Sequence, residues 1–376
     1  MSVKWARPEQ SVTFDPERIV RAHIEPVTGY SRGPAVERSS SAIQLDWNES
    51  PFPLSPKARA VYDTFQTGNR YPDIEQNGLS EALASHAGTT PDRVIAGAGL
   101  DDVFSTTALT IIELGDEVII SDPTFGVYRS LFELHGARVV NVPLGPAPNF
   151  ALPAERIAGA ITDRTKLIIV CNPNNPTGTL FDKAEIESIV ARAPCLVAID
   201  EAYAEFSGVS HVDIADRYPN VILFRTMSKF AGLAGYRVGY GIFPPSILPW
   251  VRRAAPAFRN ISGVSAAVAI ASLDDRDHLM KNVRTLVAER ERVATALVEI
   301  EGVEVYPSAA NFLLIALPVP DTAAFVAELA ARQVFIRRFG DPKLGLLHCV
   351  RVSIGSRREN DIFLEQFAGA LSNIRP

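Results

Sequence analysis

The chain has 376 residues, enough for one large or two medium domains with a substantial core. Hydrophobic residues make up 47% and charged residues 21%, as in soluble globular proteins. A net charge of −6 with no long basic stripe excludes nucleic-acid binding from the leading readings.

Cys171, Cys195 and Cys349 are scattered and form no CxxC pair, so neither a disulfide framework nor a structural metal site is expected, and a reducing cytosol fits. No apolar run of about 18 residues predicts a membrane span. Met1 to Gln10 carry charges and prolines where a signal peptide would have an apolar stretch.

In chain order, residues 1–45 read as an arm of charges, prolines and Ser39-Ser40-Ser41, with a short helical stretch predicted around Pro16 to His23. Residues 46–265 read as a large domain in which helix and strand alternate. Leu79 to His86 and Asp102 to Glu113 have helical apolar spacing. Glu117 to Ser121, Arg138 to Val142, Lys166 to Val170, Cys195 to Ile199, Val221 to Phe224 and Arg237 to Ile242 read as short buried strands. Such alternation predicts an α/β fold with a mostly parallel sheet covered on both faces. A single long helix is expected from Val264 to about Glu299, linking the two domains. Residues 266–376 read as a small α/β domain with elements over Val303 to Val305, Asn311 to Ile315, Thr322 to Arg332, Val350 to Ile354 and Glu359 to Leu371.

Lys229 is one of seven lysines among 37 basic residues. It follows the apolar run Val221-Ile222-Leu223-Phe224, lies beside the hydroxyls of Thr226 and Ser228, and precedes Arg237 by eight residues. A Schiff-base lysine needs a pocket that lowers its pKa, and hydroxyls with a guanidinium suit a phosphate beside it. Aldehyde plus phosphate describes pyridoxal 5'-phosphate. Read alone, Lys229 is equally a surface lysine in a turn.

Other strand ends carry polar residues, and in open α/β sheets ligands sit at those ends. Gly97-Ala98-Gly99-Leu100-Asp101-Asp102 forms a strand–helix turn whose free N–H groups suit an anion. Asp102 stands where a dinucleotide fingerprint needs its third glycine. Cys171-Asn172-Pro173-Asn174-Asn175-Pro176-Thr177-Gly178 holds two Asn-Pro steps, which force a rigid, sharply turned loop. Asp200 ends the apolar run Val197-Ala198-Ile199, where a lone carboxylate is costly and wants a cationic partner such as a protonated pyridine, or else caps the next helix. Phe125, in Asp122-Pro123-Thr124-Phe125-Gly126-Val127-Tyr128, is placed to stack on a flat ring or to pack in the core. Arg351 lies in an apolar strand near Arg337 and Arg338, and binds an anion or forms a structural salt bridge.

Together these segments resemble the fold-type I pyridoxal-phosphate aminotransferases, and within them the histidinol-phosphate aminotransferase family, over roughly residues 25–370. The likeness extends to Trp47-Asn48-Glu49-Ser50-Pro51, Asn69-Arg70-Tyr71-Pro72, Val352-Ser353-Ile354-Gly355-Ser356 and the arm segment Pro26-Val27-Thr28-Gly29-Tyr30. It implies that Lys229 binds the cofactor covalently and shuttles the proton, Asp200 pairs with the ring nitrogen, and Asn172 and Tyr203 bond its phenolic oxygen. Phe125 would stack on the ring. The amides of Leu100 and Asp101, with Thr226, Ser228 and Arg237, would hold the phosphate, and Tyr71 would reach the phosphate of a second subunit in a homodimer. Tyr30, Asn48, Arg337 and Arg351 would face the substrate.

The chain departs from that pattern at Leu100, at Pro51-Phe52-Pro53, at Arg259 in place of an aromatic and at Arg338 in place of an aspartate. The extra arginines, Arg259 and Arg338, point to an anionic substrate. The implied reaction turns histidinol phosphate and 2-oxoglutarate into imidazole acetol phosphate and glutamate. The alternatives are an aminotransferase for aromatic or other amino acids, a decarboxylase of a phosphorylated amino acid, or a cofactor-binding regulator without catalysis.

Overall fold

A computed structural model describes residues 15, 18–28, 38–257 and 260–374. Its central element is a seven-stranded sheet. The order across it is Val94–Ala98, Val238–Ile242, Val221–Thr226, Leu196–Asp200, Thr165–Cys171, Glu117–Ile120 and Arg138–Asn141. Only Val238–Ile242 runs against its neighbours. The other pairings are parallel, as the alternation of elements predicts.

Apart from the edge strand Arg138–Asn141, which is only partly buried, these strands are largely apolar because both faces are covered. The two-residue period of the strand then divides them between two cores. Ile168, Val170, Val197, Ile199, Val221 and Leu223 face one core, with Leu79 and Leu83 from the helix Asn77–Ala87 and Ile186, Ile189 and Val190 from Lys183–Arg192. Leu167, Ile169, Cys171, Ala198, Ile222 and Phe224 face the other, with Val103, Phe104 and Ala108 from Leu100–Ile111 and Tyr128 and Phe132 from Val127–Leu134. Burying each such side chain contributes roughly 1.5–3 kcal/mol.

The long helix expected from Val264 to Glu299 is two helices, Gly263–Asp274 and Arg276–Val298. Asp275 leaves helical geometry between them, and its carboxylate accepts from the Lys57 amide at 2.6 Å. The Lys57 ammonium donates to the Asp274 carbonyl at 2.7 Å. The break thus fastens this pair to the helix Pro56–Thr64, an interaction that apolar periodicity does not encode. Of the helical stretch expected around Pro16 to His23, residues 16 and 17 lie outside the described residues and Arg18 is in 3-10 geometry, while residues 21–27 form successive turns closed by Ile24 N–H to Arg21 O and Val27 N–H to Ile24 O.

The C-terminal part holds an antiparallel sheet in the order Arg337–Arg338, Cys349–Ser353, Phe312–Ala316, Glu304–Val305. Helices Ala323–Ala331 and Arg357–Ile374 pack together through Phe325, Phe363 and Phe367. Residues 43–48, which the sequence divides between arm and large domain, are bonded to this part. Ile43–Gln44 pairs with Val334–Phe335, the Ser353 amide donates to Leu45 O, and the Asn48 amide donates to Ser353 Oγ. That attachment carries residues 46–48 to the edge of the large sheet, where the candidate site lies. No helix among the described residues is long and apolar enough to cross a membrane.

Candidate active site

The strand Val221–Thr226 delivers Lys229 to the carboxyl edge of the large sheet. Its ammonium donates to the Trp47 carbonyl at 2.9 Å. Burial, followed by the positive charge of Arg351, pushes it down to about 8, while Glu49 and Asp101 pull the other way. Arg351, Arg237, Glu49 and Asp101 therefore all lie near the lysine. The Thr226 hydroxyl is taken up within the turn, accepting from the Ser228 amide at 3.1 Å and lying 3.4 Å from the Val238 carbonyl. Thr226 thus braces the turn that carries Ser228 and Lys229. Ser228 is buried beside it.

The turn expected to hold a phosphate is built from glycines. Gly99 has φ +82°, and a Cβ there would lie 2.2 Å from Arg237 Nη2, so only glycine lets the guanidinium close over the turn. A Cβ at Gly239 would lie 2.4 Å from the Leu100 amide nitrogen, so the start of Leu100–Ile111 rests directly on that strand. Gly99 has no side chain to cap this helix, which leaves first-turn amides for an anion. Arg237 donates to Asp101 Oδ2 at 3.3 Å at the rim.

Asp200 is 3% exposed. It accepts from the Tyr128 hydroxyl and, at 2.9 Å, from the Ala202 amide. Among the described residues no Lys, Arg or His forms an ion pair with it. Burial pushes its carboxyl up to about 6, against those two hydrogen bonds. The protonated ring nitrogen of pyridoxal phosphate fits this vacancy of charge. Phe125, half-buried, stands edge-on to Tyr128 with ring centroids 5.4 Å apart.

Asn172 does not do what the sequence suggests. Its Oδ1 accepts from the Phe181 amide at 2.8 Å, and its Nδ2 lies 3.3 Å from His211 Nε2. Because the backbone N–H fixes which end of the amide is oxygen, Nε2 must accept and His211 carries its proton on Nδ1. That proton goes to Glu201 Oε1 at 2.9 Å, and Glu201 Oε2 accepts from Arg225 Nε at 2.8 Å. Asn172 thus belongs to a buried brace beneath the site.

Asn175 is the asparagine that meets the site. Its Nδ2 donates to Tyr203 Oη at 3.3 Å and its Oδ1 accepts from Arg351 at 2.6 Å. Asn48 Nδ2 also donates to Tyr203 Oη, at 3.0 Å. Ser353 Oγ meets Asn48 Oδ1 and Asn311 Nδ2 meets the Asn48 carbonyl, so Asn48 is a support for Tyr203, not an open substrate contact. Arg351 also donates to the Asp46 carbonyl at 2.6 Å. Residues 46–48 therefore hold Arg351, Lys229 and Tyr203 together.

Arg337 pairs directly with Arg351 in the antiparallel register, which puts both on one face of the sheet. Arg338 points away and forms a forked bond with Asp321, 2.8 and 3.0 Å, so it leaves the set of substrate-facing arginines. Tyr71 is 81% exposed. Tyr30 and Arg259 lie outside the described residues.

Two residues lie within motifs that the sequence singles out but receive no role from it. Asn175 shares its Asn-Pro step with Asn172, and nothing in the sequence says which amide faces out. Tyr128 lies in the first turn of the helix Val127–Leu134, and nothing in the sequence says that its hydroxyl reaches Asp200.

Comparison with known proteins agrees with this geometry. Residues 40–367 match the family model of class I and II aminotransferases. A histidinol-phosphate aminotransferase of Roseiflexus castenholzii is 38% identical over 86% of this chain and 88% of its own. An aromatic amino acid aminotransferase of Rhodococcus jostii is 39% identical over 92% and 94%. The crystal structure of a Sinorhizobium meliloti histidinol-phosphate aminotransferase in complex with pyridoxal 5'-phosphate superposes with a TM-score of 0.82 at 27% identity, covering 89% of this chain and 92% of that one. A cradle closed by Arg237, a buried carboxylate lacking a cation and a lysine brought to about 8 are what that cofactor requires. The chain belongs to the class I and II aminotransferases and is a pyridoxal 5'-phosphate-dependent aminotransferase of the aspartate-aminotransferase-like fold.

Proposed function

We propose that the chain transfers the amino group of histidinol phosphate to 2-oxoglutarate, working as a cytoplasmic homodimer. The observation that carries the substrate is the Arg337–Arg351 pair on one sheet face, two guanidinium groups suited to an anionic substrate with oxygen acceptors at its ends. Relatives bearing the histidinol-phosphate name, at 35–38% identity over most of the chain, support the same substrate.

Bound pyridoxal phosphate supplies an aldehyde and an electron-withdrawing ring. The protein's part is to position and to move protons. With an ammonium near 8, Lys229 is about one-tenth neutral at pH 7, enough for Nζ to act as nucleophile and then as carrier of the substrate α-proton. Asp200 holds positive charge on the ring nitrogen. Tyr203 and Asn175 meet the phenolic oxygen, with Asn175 taking the role that the family resemblance implied for Asn172. The first-turn amides of Leu100 and Asp101, with Ser228 and Arg237, hold the phosphate, and Phe125 covers a ring face. Tyr71 reaches the phosphate of the second subunit, which accounts for a large exposed aromatic. Residues 46–265 carry the cofactor and 266–376 carry the substrate arginines.

A second reading is an aromatic amino acid aminotransferase, favoured by the Rhodococcus jostii relative. Steady-state kinetics with 2-oxoglutarate as acceptor separate the two. Histidinol phosphate is expected to exceed phenylalanine and tyrosine in kcat/KM by at least about a hundredfold, the scale of a charged recognition pair lost. The reverse order would replace the substrate and keep the chemistry.

A further inference from the structure

The geometry points to Tyr128 as the positioning residue that sets Asp200 toward the cofactor's ring nitrogen, through the hydrogen bond from its hydroxyl to Asp200 Oδ2. The inference rests on the cofactor reading and is independent of which amino donor is used.

Tyr128 is 1% exposed, on the helix Val127–Leu134. Its ring is gripped edge-on by Phe104 at 5.5 Å and Phe125 at 5.4 Å, and Phe104 is itself locked against Phe224 at 4.8 Å. A phenol fixed on that cage has one place to put its hydroxyl. It meets Asp200, and a second polar neighbour, Cys171, has a thiol that donates to the Pro173 carbonyl at 3.4 Å. The Ala202 amide fixes the other carboxylate oxygen at 2.9 Å. Asp200 therefore cannot rotate, and each oxygen keeps a lone pair for an incoming cation. The hydroxyl also favours the ionised carboxylate against a burial that disfavours it. Phe125, just before this helix, touches the Tyr128 ring, so the group placed to cover the cofactor and the group that orients its counter-ion pack against each other.

The test compares two cofactors on apo-protein reconstituted in solution, pyridoxal phosphate and its analogue with a ring C–H in place of the ring nitrogen. The variants are Tyr128→Phe, Asp200→Asn and the double variant, with Phe104→Leu as a packing control. Tyr128→Phe is expected to weaken pyridoxal phosphate at least about tenfold, the worth of a buried hydrogen bond to a charged group, and to leave the analogue's affinity unchanged. kcat should fall with KM little altered. Phe104→Leu should weaken both cofactors alike. Adding Tyr128→Phe to Asp200→Asn should cost no further affinity, and this pair decides the matter even where Tyr128→Phe alone does not fold. Equal losses for both cofactors in Tyr128→Phe, or a further loss in the double variant, would overturn the assignment. Wild-type protein that binds neither cofactor would instead overturn the cofactor reading itself.

Discussion

Asp200 and Glu201 are chain neighbours, both almost wholly buried at the end of one strand, and their surroundings are opposite. Burial acts to raise Glu201, but His211 and Arg225 prevail and hold it below the ordinary carboxylate value. Among the described residues Asp200 is met by a hydroxyl and an amide and by no cation, and burial carries it up to about 6. The strand's alternation sends the two side chains to opposite sides of the sheet, one to a finished ion-pair network and the other to the ligand side. A buried carboxylate left without a cation is destabilising by itself, and it persists where a ligand provides the charge. The difference separates a brace from a binding site without reference to any relative.

The sharpest way to break this comparison begins one strand away. Lys229→Ala should lower transamination by at least about a thousandfold, as expected when a covalent nucleophile and proton carrier are lost together, while the circular dichroism spectrum stays native. A variant with full activity would remove Lys229 from the chemistry. Next come the two carboxylates. Glu201→Ala should lose about 3–5 kcal/mol of stability in urea, because Arg225 is left buried and unpaired. Asp200→Asn should leave the cofactor-free protein as stable as wild type or more so near pH 7, yet lower kcat about a hundredfold or more. Similar losses of stability in both would erase the distinction. Among the arginines, Arg351→Ala should lower kcat/KM about a hundredfold. Arg338→Ala, which removes a half-exposed pair with Asp321, should stay within about twofold of wild type.

The sequence made the inner strands of the large sheet readable because they are apolar runs followed by turn chemistry, and strands buried on both faces carry that signature. Lys229 and Asp200 were readable because a lysine in a sheltered turn and a carboxylate closing an apolar strand are both costly without a purpose. The choice between Asn172 and Asn175 was not readable, because it depends on where the loop presents the Phe181 amide, nine residues beyond the first asparagine. The break at Asp275 was hidden for the same reason: its cause is Lys57, far away in the chain. Arg337 and Arg338 look alike in sequence, and only the pairing of Arg337 with Arg351 decides which one faces the site.

The most direct measurement is the urea stability of the cofactor-free protein from pH 4 to 8, wild type against Asp200→Asn. Asp200 titrates at 3.8 when unperturbed and at about 6 in the fold. Between these values the folded state holds the proton and the unfolded chain does not, so wild-type stability must fall relative to the variant as pH rises through this window. The fall is on the order of 3 kcal/mol, complete above about pH 6. Pyridoxal phosphate should restore stability at pH 7.5 more in wild type than in Asp200→Asn. Parallel pH profiles for the two proteins, with equal restoration by the cofactor, would contradict the claim that Asp200 is a carboxylate held in waiting for the cofactor's charge.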